Sequence, residues 1–375
     1  MWLTIIIFLA VLSVLVFAHE LGHFWTARRF GVKAEEFGFG FPPRAVGVYK
    51  DSEGKKKIVR GNKEVKDASD TVFSLNWIPL GGFVKIKGED GESENDPDSF
   101  AAQSVGKRAV IISAGVIMNI ILAAVLFSVG FMIGMPQALE GVSASANVKN
   151  AQIQIMEVSP NSPAEAAGLE MGDVILDING QSFASIEELQ NFTSASIGEE
   201  LNYHIKRTDE ELSLAVTPEK MENIPSGGVG IAITSTGTVT YPWYLAIWEG
   251  CKTAITLLIA IIVAFYELIK NLIVGNGLSA DLGGPVYIAK ITGDAARMGF
   301  VYLLNFTALL SINLAVINFL PFPALDGGRF LFLVIEKIKG SPVKRELEGA
   351  MHYIGFILLM ILVLVVTFRD IAKIF

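Results

Sequence analysis

The chain of 375 residues carries one cysteine, Cys251, and four histidines. A single cysteine excludes an intrachain disulfide framework and any cysteine-based metal cluster. A metal held here must therefore sit on histidine and carboxylate. Charge is scarce as well, with 18% charged residues and a net −8. No basic domain emerges when the charges are mapped, so nothing favours nucleic-acid binding. What the chain has in abundance is apolar surface: 51% of its residues are hydrophobic, which argues against a soluble enzyme and for a membrane protein.

A bilayer core of about 30 Å needs roughly 20 largely apolar residues of helix. Four stretches meet that length: 1–29, 109–136, 298–328 and 350–369. The first has no basic residues ahead of its apolar run and no small-residue cleavage site after it, so it is expected to stay as an anchor. Between Lys252 and Glu267 the uncharged run is too short to cross by that criterion. With Trp243, Tyr244 and Trp248 nearby, 243–274 is expected to be interfacial or re-entrant.

Lys and Arg are concentrated between the first two spans, where 15 of the 30 fall. By the positive-inside rule the loop 30–108 is cytoplasmic, and both termini and the domain after the second span face outward. The strongly basic stretch Lys50 to Lys66 reads as a solvated hairpin touching anionic membrane lipid.

The segment 140–235 has different chemistry. Ile153 to Val158 alternates as a strand, Ser162 to Ala167 reads as a short helix, and Asp173 to Gly180 as a strand ending in a turn. Ser185 with Glu188 resembles a capping box opening a helix through Phe192. Leu201–Arg207 and Leu212–Val216 close the unit as a hairpin. The run from Ser159 to Gly180 resembles the bacterial protease-associated PDZ domain, an α+β unit. That resemblance implies a peptide bound at a sheet edge, or an ectodomain turned away.

His19-Glu20-Leu21-Gly22-His23 closes the first span. On a helix, positions i and i+4 share a face, so two imidazoles can reach one zinc ion while the glutamate between them approaches attacking water. Ionisable groups inside a span are costly unless paired, hydrated or metal-bound. A catalytic zinc takes a third protein ligand. His204 belongs to a strand of the outer domain and His352 reads as an ordinary interfacial ring. Asp326, at the end of the third span, is the outstanding intramembrane carboxylate. It meets the histidines only if the first and third spans run in the same direction, which requires 243–274 not to cross.

Taken with Phe24-Trp25, Pro79 to Lys85, Ser104 to Ala109 and Asn318 to Gly328, this motif resembles the site-2 protease family of intramembrane zinc metalloproteases. The resemblance is strongest to the bacterial branch typified by regulator of sigma-E protease. It implies zinc on His19, His23 and Asp326, Glu20 as catalytic base, and Asn318 in the cleft that holds substrate. It also implies a bacterial inner-membrane location, the active site near the cytoplasmic side, and single-span membrane substrates such as an anti-sigma factor or a signal-peptide remnant. Two positions depart from the family pattern. Val116 follows Gly115 where the family often has proline, with Asn119 retained, and there is room for one PDZ unit where the best-known member has two.

A peptide bond in a membrane helix must be unwound before it is cut. Two Gly-rich segments, one with Gly38 and Gly40 and the other with Gly81, Gly82 and Phe83, are expected to form β-strands dipping toward the zinc. Their edge would supply backbone hydrogen bonds to the unwound segment. The expected architecture is thus a polytopic α-helical membrane protein with four transmembrane helices, a cytoplasmic re-entrant β-hairpin region and an inserted PDZ domain. The competing function is a PDZ membrane adaptor with a structural zinc, distinguished by whether Glu20→Gln keeps zinc and stops cleavage. A transporter is disfavoured because the ionisable residues gather at one site.

Overall fold

The computed structural model describes residues 2–65, 68–91, 93–143, 145–207, 210–221, 224–275 and 283–374. The chain divides into two compact units, one formed by 1–130 with 247–375 and the other by 131–246.

The first unit opens with helix α1 (Trp2–Arg29), apolar to Ala18 and closed by Arg28 and Arg29, whose charge favours the negative end of the helix dipole. A three-stranded sheet follows from β1 (Ala34–Lys50), β2 (Lys56–Arg60) and β3 (Val72–Ile86), in the order β2-β1-β3. β1 and β3 are long and bent. Residues 37–39 of β1 pair with 82–84 of β3 and also with 73–75, while 46–48 of β1 pair with 73–75 from the other side. The first half of β1 therefore lies between the two halves of β3, and 82–86 forms an outer edge. Glu36 and Arg44, both nearly buried, form an ion pair within β1. Burial alone would raise the Glu36 carboxyl, but Arg44 and Ser74 hold it below the usual carboxylate range. Helix α2 (Val105–Ile133) then runs without interruption through Gly115 and Val116.

In the second unit the strands are β4 (Met135–Ala138), β5 (Asn147–Val158), β6 (Val174–Ile178), β7 (Leu201–Arg207), β8 (Glu210–Val216), β9 (Glu219–Met221), β10 (Ile224–Gly228) and β11 (Ile231–Thr240). Six of them make one sheet, β4-β11-β5-β6-β7-β8, and β9 pairs with β10. The helices are α3 (Pro163–Ala166) and α4 (Ile186–Ala195). Ser162 and Ser185 cap them, accepting from Glu165 N and Glu188 N at 3.2 Å each. Ile155, Ile178, Tyr203 and Ile205 are fully buried in its core, each contributing about 2 kcal/mol. The hairpin and the capped helix stand where the sequence places them.

Helix α5 (Trp243–Val274) is one continuous helix of 32 residues. At 1.5 Å per residue it is about 48 Å long, so the length criterion that set this segment apart from the spans does not hold. Its charges do not shorten it, because Glu249 pairs with Lys252 at 3.3 Å and Glu267 with Lys270 at 3.1 Å along the helix itself. Among the described residues, five helices are long and apolar enough to cross a membrane, namely α1, α2, α5, α7 (Phe300–Asn318) and residues 345–372 of α9 (Arg345–Ile374). Between them lie α6 (Pro285–Met298) and α8 (Asp326–Lys339), which the span reading did not anticipate.

The ends of these helices sort into two levels. Gly293 of α6 lies against Thr4 near the start of α1, and Asp370 near the end of α9 accepts from Gly284 N at 3.0 Å and Tyr287 N at 2.9 Å. At the other level are His23 of α1, Ile111 of α2, and Ala324, whose N–H bonds His352 of α9. Helices α1 and α7 thus run the same way, with α2 and α9 opposed.

Candidate metal centre

Asp326 is not part of the third apolar helix, as the span 298–328 had it, but the first residue of α8. Pro321 and Pro323 explain the difference: proline lacks the N–H that a continuing helix needs and restricts the residue before it. The turn 319–325 reverses under tight packing, with Gly327 against the Phe319 and Leu320 carbonyls. Ala324 takes a positive φ of 77°. Its N–H donates to His352 Nδ1 at 2.8 Å, so the histidine read as an idle interfacial ring holds the loop that ends in Asp326.

Among the described residues, His19, His23 and Asp326 offer ligand atoms all within 4.8 Å of one another. The two Nε2 atoms are 3.2 Å apart, and one Asp326 oxygen lies 3.0 Å from His19 Nε2 and 3.2 Å from His23 Nε2. Three donors around a tetrahedral zinc with bonds near 2.05 Å would be about 3.3 Å apart, so the triangle has the right size. Both histidines are buried, and among the described residues Asp326 Oδ2 is buried with no hydrogen-bond donor toward it other than the facing rings. A lone buried carboxylate oxygen aimed between two imidazole nitrogens is costly without a cation. The donor set fits zinc.

Helix α2 sets the imidazoles. His23 Nδ1 donates to the Ile111 carbonyl at 2.9 Å, which leaves Nε2 as the lone-pair nitrogen facing the metal position. His19 Nδ1 meets the Asn119 side-chain amide at 3.3 Å, and Asn119 Oδ1 is buried with no partner. A half-turn of the amide lets that oxygen accept the His19 Nδ1–H, satisfying both groups and freeing His19 Nε2 for metal. The close crossing depends on glycine. A Cβ on Gly22 would strike the Ala114 carbonyl, and one on Gly115 would lie 2.8 Å from His19 Nε2 and closer still to His23 Nε2. The sequence reading noted that Asn119 is retained but gave it no role. Its position four residues after Gly115, on the same helix face, was the signal.

Beside this centre lies the edge of β3. Ser13 of α1 donates to the Pro79 carbonyl and accepts from Gly81 N, both at 3.2 Å. Gly81 packs on Val16, and Gly82 on Phe17 and Glu20. Gly81 and Gly82 thus lie beside α1 at the site, whereas Phe83 lines a separate cavity with Glu36 and Arg44. Gly38 and Gly40 do not reach the site: they belong to β1, one strand behind the edge, where Gly38 pairs with Phe83 and the Gly40 carbonyl accepts from Asn76. Asn318 ends α7 ahead of the turn to Asp326 and is partly exposed.

The sequence pattern of peptidase family M50 matches residues 7–362. The chain belongs to that family. Zinc metalloprotease RasP of Geobacillus kaustophilus is 31% identical, over 99% of this chain and 98% of that one. The RasP of Oceanobacillus iheyensis is 29% identical over 99% of both. The PDZ domain of the SdrC-like protein from Listeria monocytogenes is 24% identical with a TM-score of 0.22, covering 23% of this chain and 92% of that domain. As an M50 peptidase with several membrane-length helices, the protein is a zinc-dependent intramembrane protease serving regulated intramembrane proteolysis.

Proposed function

We propose that His19, His23 and Asp326 hold the zinc and that Glu20 is the catalytic base, cutting transmembrane segments of single-span membrane proteins. The observation that carries this reading is the convergence of three donor atoms from α1 and α8, with both imidazoles turned by α2 so that Nε2 faces inward. Zinc, when bound, supplies a Lewis acid that polarises the scissile carbonyl and makes water a competent nucleophile near neutral pH. Glu20, beside the donor triangle, takes the proton of the attacking water and passes it to the leaving amine nitrogen. The outer edge of 82–86 receives the unwound substrate as an added strand, its free backbone groups replacing the helical hydrogen bonds the substrate gives up. Asn318 lines the cleft at the end of α7.

Four crossings by α1, α2, α7 and α9 account for the two levels of helix ends. Helix α2 finishes at the level where α6 lies, so the chain between them crosses an even number of times, and α5 lies along the interface. The bias of Lys and Arg toward 30–108 puts the metal centre near the cytoplasmic side of a bacterial inner membrane. It also puts the 131–246 unit outside as a PDZ domain that screens ectodomains or holds a peptide. That domain is carried by the six-stranded sheet, the two serine-capped helices and the Ser159 to Gly180 run.

The test uses full-length protein in detergent with a synthetic single-span peptide whose apolar helix is broken by a Gly-Ala pair. Glu20→Gln keeps zinc and stops cleavage; a mutant that cuts as fast as wild type removes Glu20 from the mechanism. Asp326→Asn lowers zinc content, and a folded mutant with full zinc removes Asp326 from the ligand set.

A further inference from the structure

The edge strand is held at both ends, and each hold reaches an element that carries a metal ligand. The first is Ser13 with Pro79 and Gly81, on the helix of His19 and His23. The second lies past the other end of β3. Arg329, one turn after Asp326 on α8, pairs with Glu89 and stands 3.8 Å from Asp90. Nothing in the proposed chemistry uses this pair. A cavity of about 290 Å³ separates the turn 88–91 from α8 and α9, with Glu89, Asp90, Arg329 and Phe332 on its walls. Val84 and Ile86 at the end of β3 pack in one apolar cluster with Phe330 and Leu333 of α8, and beyond them, across the cavity, the Arg329 guanidinium reaches the turn 88–91.

We propose that Arg329 is a positioning residue that sets which peptide bond of a docked segment meets the metal. The inference rests on the reading of 82–86 as the docking edge. A segment added to a strand re-pairs in two-residue steps of about 6.8 Å that keep the same face toward the site. An edge free to move by even about 1 Å misplaces the scissile carbonyl, a displacement that costs up to about 100-fold in rate. It also brings the neighbouring register within reach of the metal. Asp326 itself needs no help from Arg329 to keep its place, because Ala324, His352 and the glycine packing hold its turn.

The test measures zinc content, KM, kcat and product masses on the same synthetic peptide. In Arg329→Gln we expect wild-type zinc, KM changed by less than roughly twofold, kcat lowered by about tenfold or more, and a second product displaced by two residues. Arg329→Lys, which keeps the charge toward Glu89, restores a single product. Glu89→Gln leaves α8 untouched and must reproduce the mixture; it also serves if Arg329→Gln fails to fold. A single product at wild-type kcat in Glu89→Gln overturns the inference, as does loss of zinc in Arg329→Gln. Val84→Pro separates the two levels of reasoning. If it cuts normally, the docking edge is wrong and the register role goes with it. If it is impaired while Glu89→Gln and Arg329→Gln cut as wild type, the register role alone is wrong.

Discussion

Gly115→Ala isolates the metal centre from the stability of the helices around it. A Cβ at 115 would lie 2.7 Å from His19 Cε1 and 2.8 Å from His19 Nε2, and nearer to His23 Nε2. Ordinary contact needs about 3.4 Å, so His19 Nε2 must retreat by roughly 0.6 Å, three times the tolerance of about 0.2 Å on a metal–ligand distance. Neither ring can yield by tilting, because His23 Nδ1 is bonded to Ile111 and His19 Nδ1 to Asn119. Loosening a group that merely orients a ligand costs 10- to 100-fold in metal affinity, so displacing the ligand itself should cost at least about 100-fold, or roughly 2.7 kcal/mol. Meanwhile alanine favours the helix over glycine by up to about 1 kcal/mol, which offsets part of the strain in the metal-free protein. The expected outcome for purified full-length protein is a zinc-free fraction after mild chelator dialysis, little cleavage, and a metal-free unfolding temperature near that of metal-free wild type. A Gly115→Ala protein that keeps its zinc and cuts normally would refute the close approach of α2 to the imidazoles.

Three further outcomes follow from other contacts. His352→Leu removes the acceptor for Ala324 N–H and should weaken zinc retention about tenfold, whereas His352→Asn, with a carbonyl oxygen near the Nδ1 position, keeps it; equal retention by both refutes the hold on the turn. Arg44→Met leaves Glu36 a nearly buried, unpaired carboxylate and should destabilise the sheet by about 3 kcal/mol, seen as faster hydrogen exchange across 36–48; unchanged exchange counts against the pair. In β7, His204 donates to Asp177 at 2.9 Å and faces Glu211 at 3.4 Å, which raises its pKa above 6.5. A raised folded pKa stabilises fully below the unfolded value and is lost as pH climbs through the folded one. Relative to His204→Gln, protection of β7 and β8 should therefore be greatest below about pH 6.5 and converge at alkaline pH; a wild-type advantage that grows with pH would reverse the assignment.

Much of this was legible in the residues. His19, Glu20 and His23 declare themselves because helical spacing alone puts i and i+4 on one face, and Asp326 because an acid beside an apolar run needs a reason. The hairpin and the Ser185 cap of the 131–246 unit were legible for the same reason: their signals are local. The boundary of the third helix was misread, since hydropathy continues through Phe319 and Leu320 while the backbone is broken by Pro321 and Pro323. The extent of α5 was read correctly as 243–274, but its membrane-spanning length was underestimated because charged residues that pair along a helix interrupt a hydropathy count without interrupting the helix.

Local spacing by itself determined that membrane-length helices carry an inserted β-rich unit, that His19 and His23 share a helix face with Glu20 between them, and that the glycine-rich segments form strands. Only the tertiary structure decided that Asn119 and Ile111 orient the imidazoles, that His352 holds the turn before Asp326, that Gly38 and Gly40 stand a strand behind the site, and that Arg329 reaches Glu89. These contacts join residues about 30 to 240 positions apart. Periodicity reports which face of an element is apolar. It carries no information about which distant side chain will fill the space against that face, because that depends on how close two backbones come, and here a few glycines set that distance.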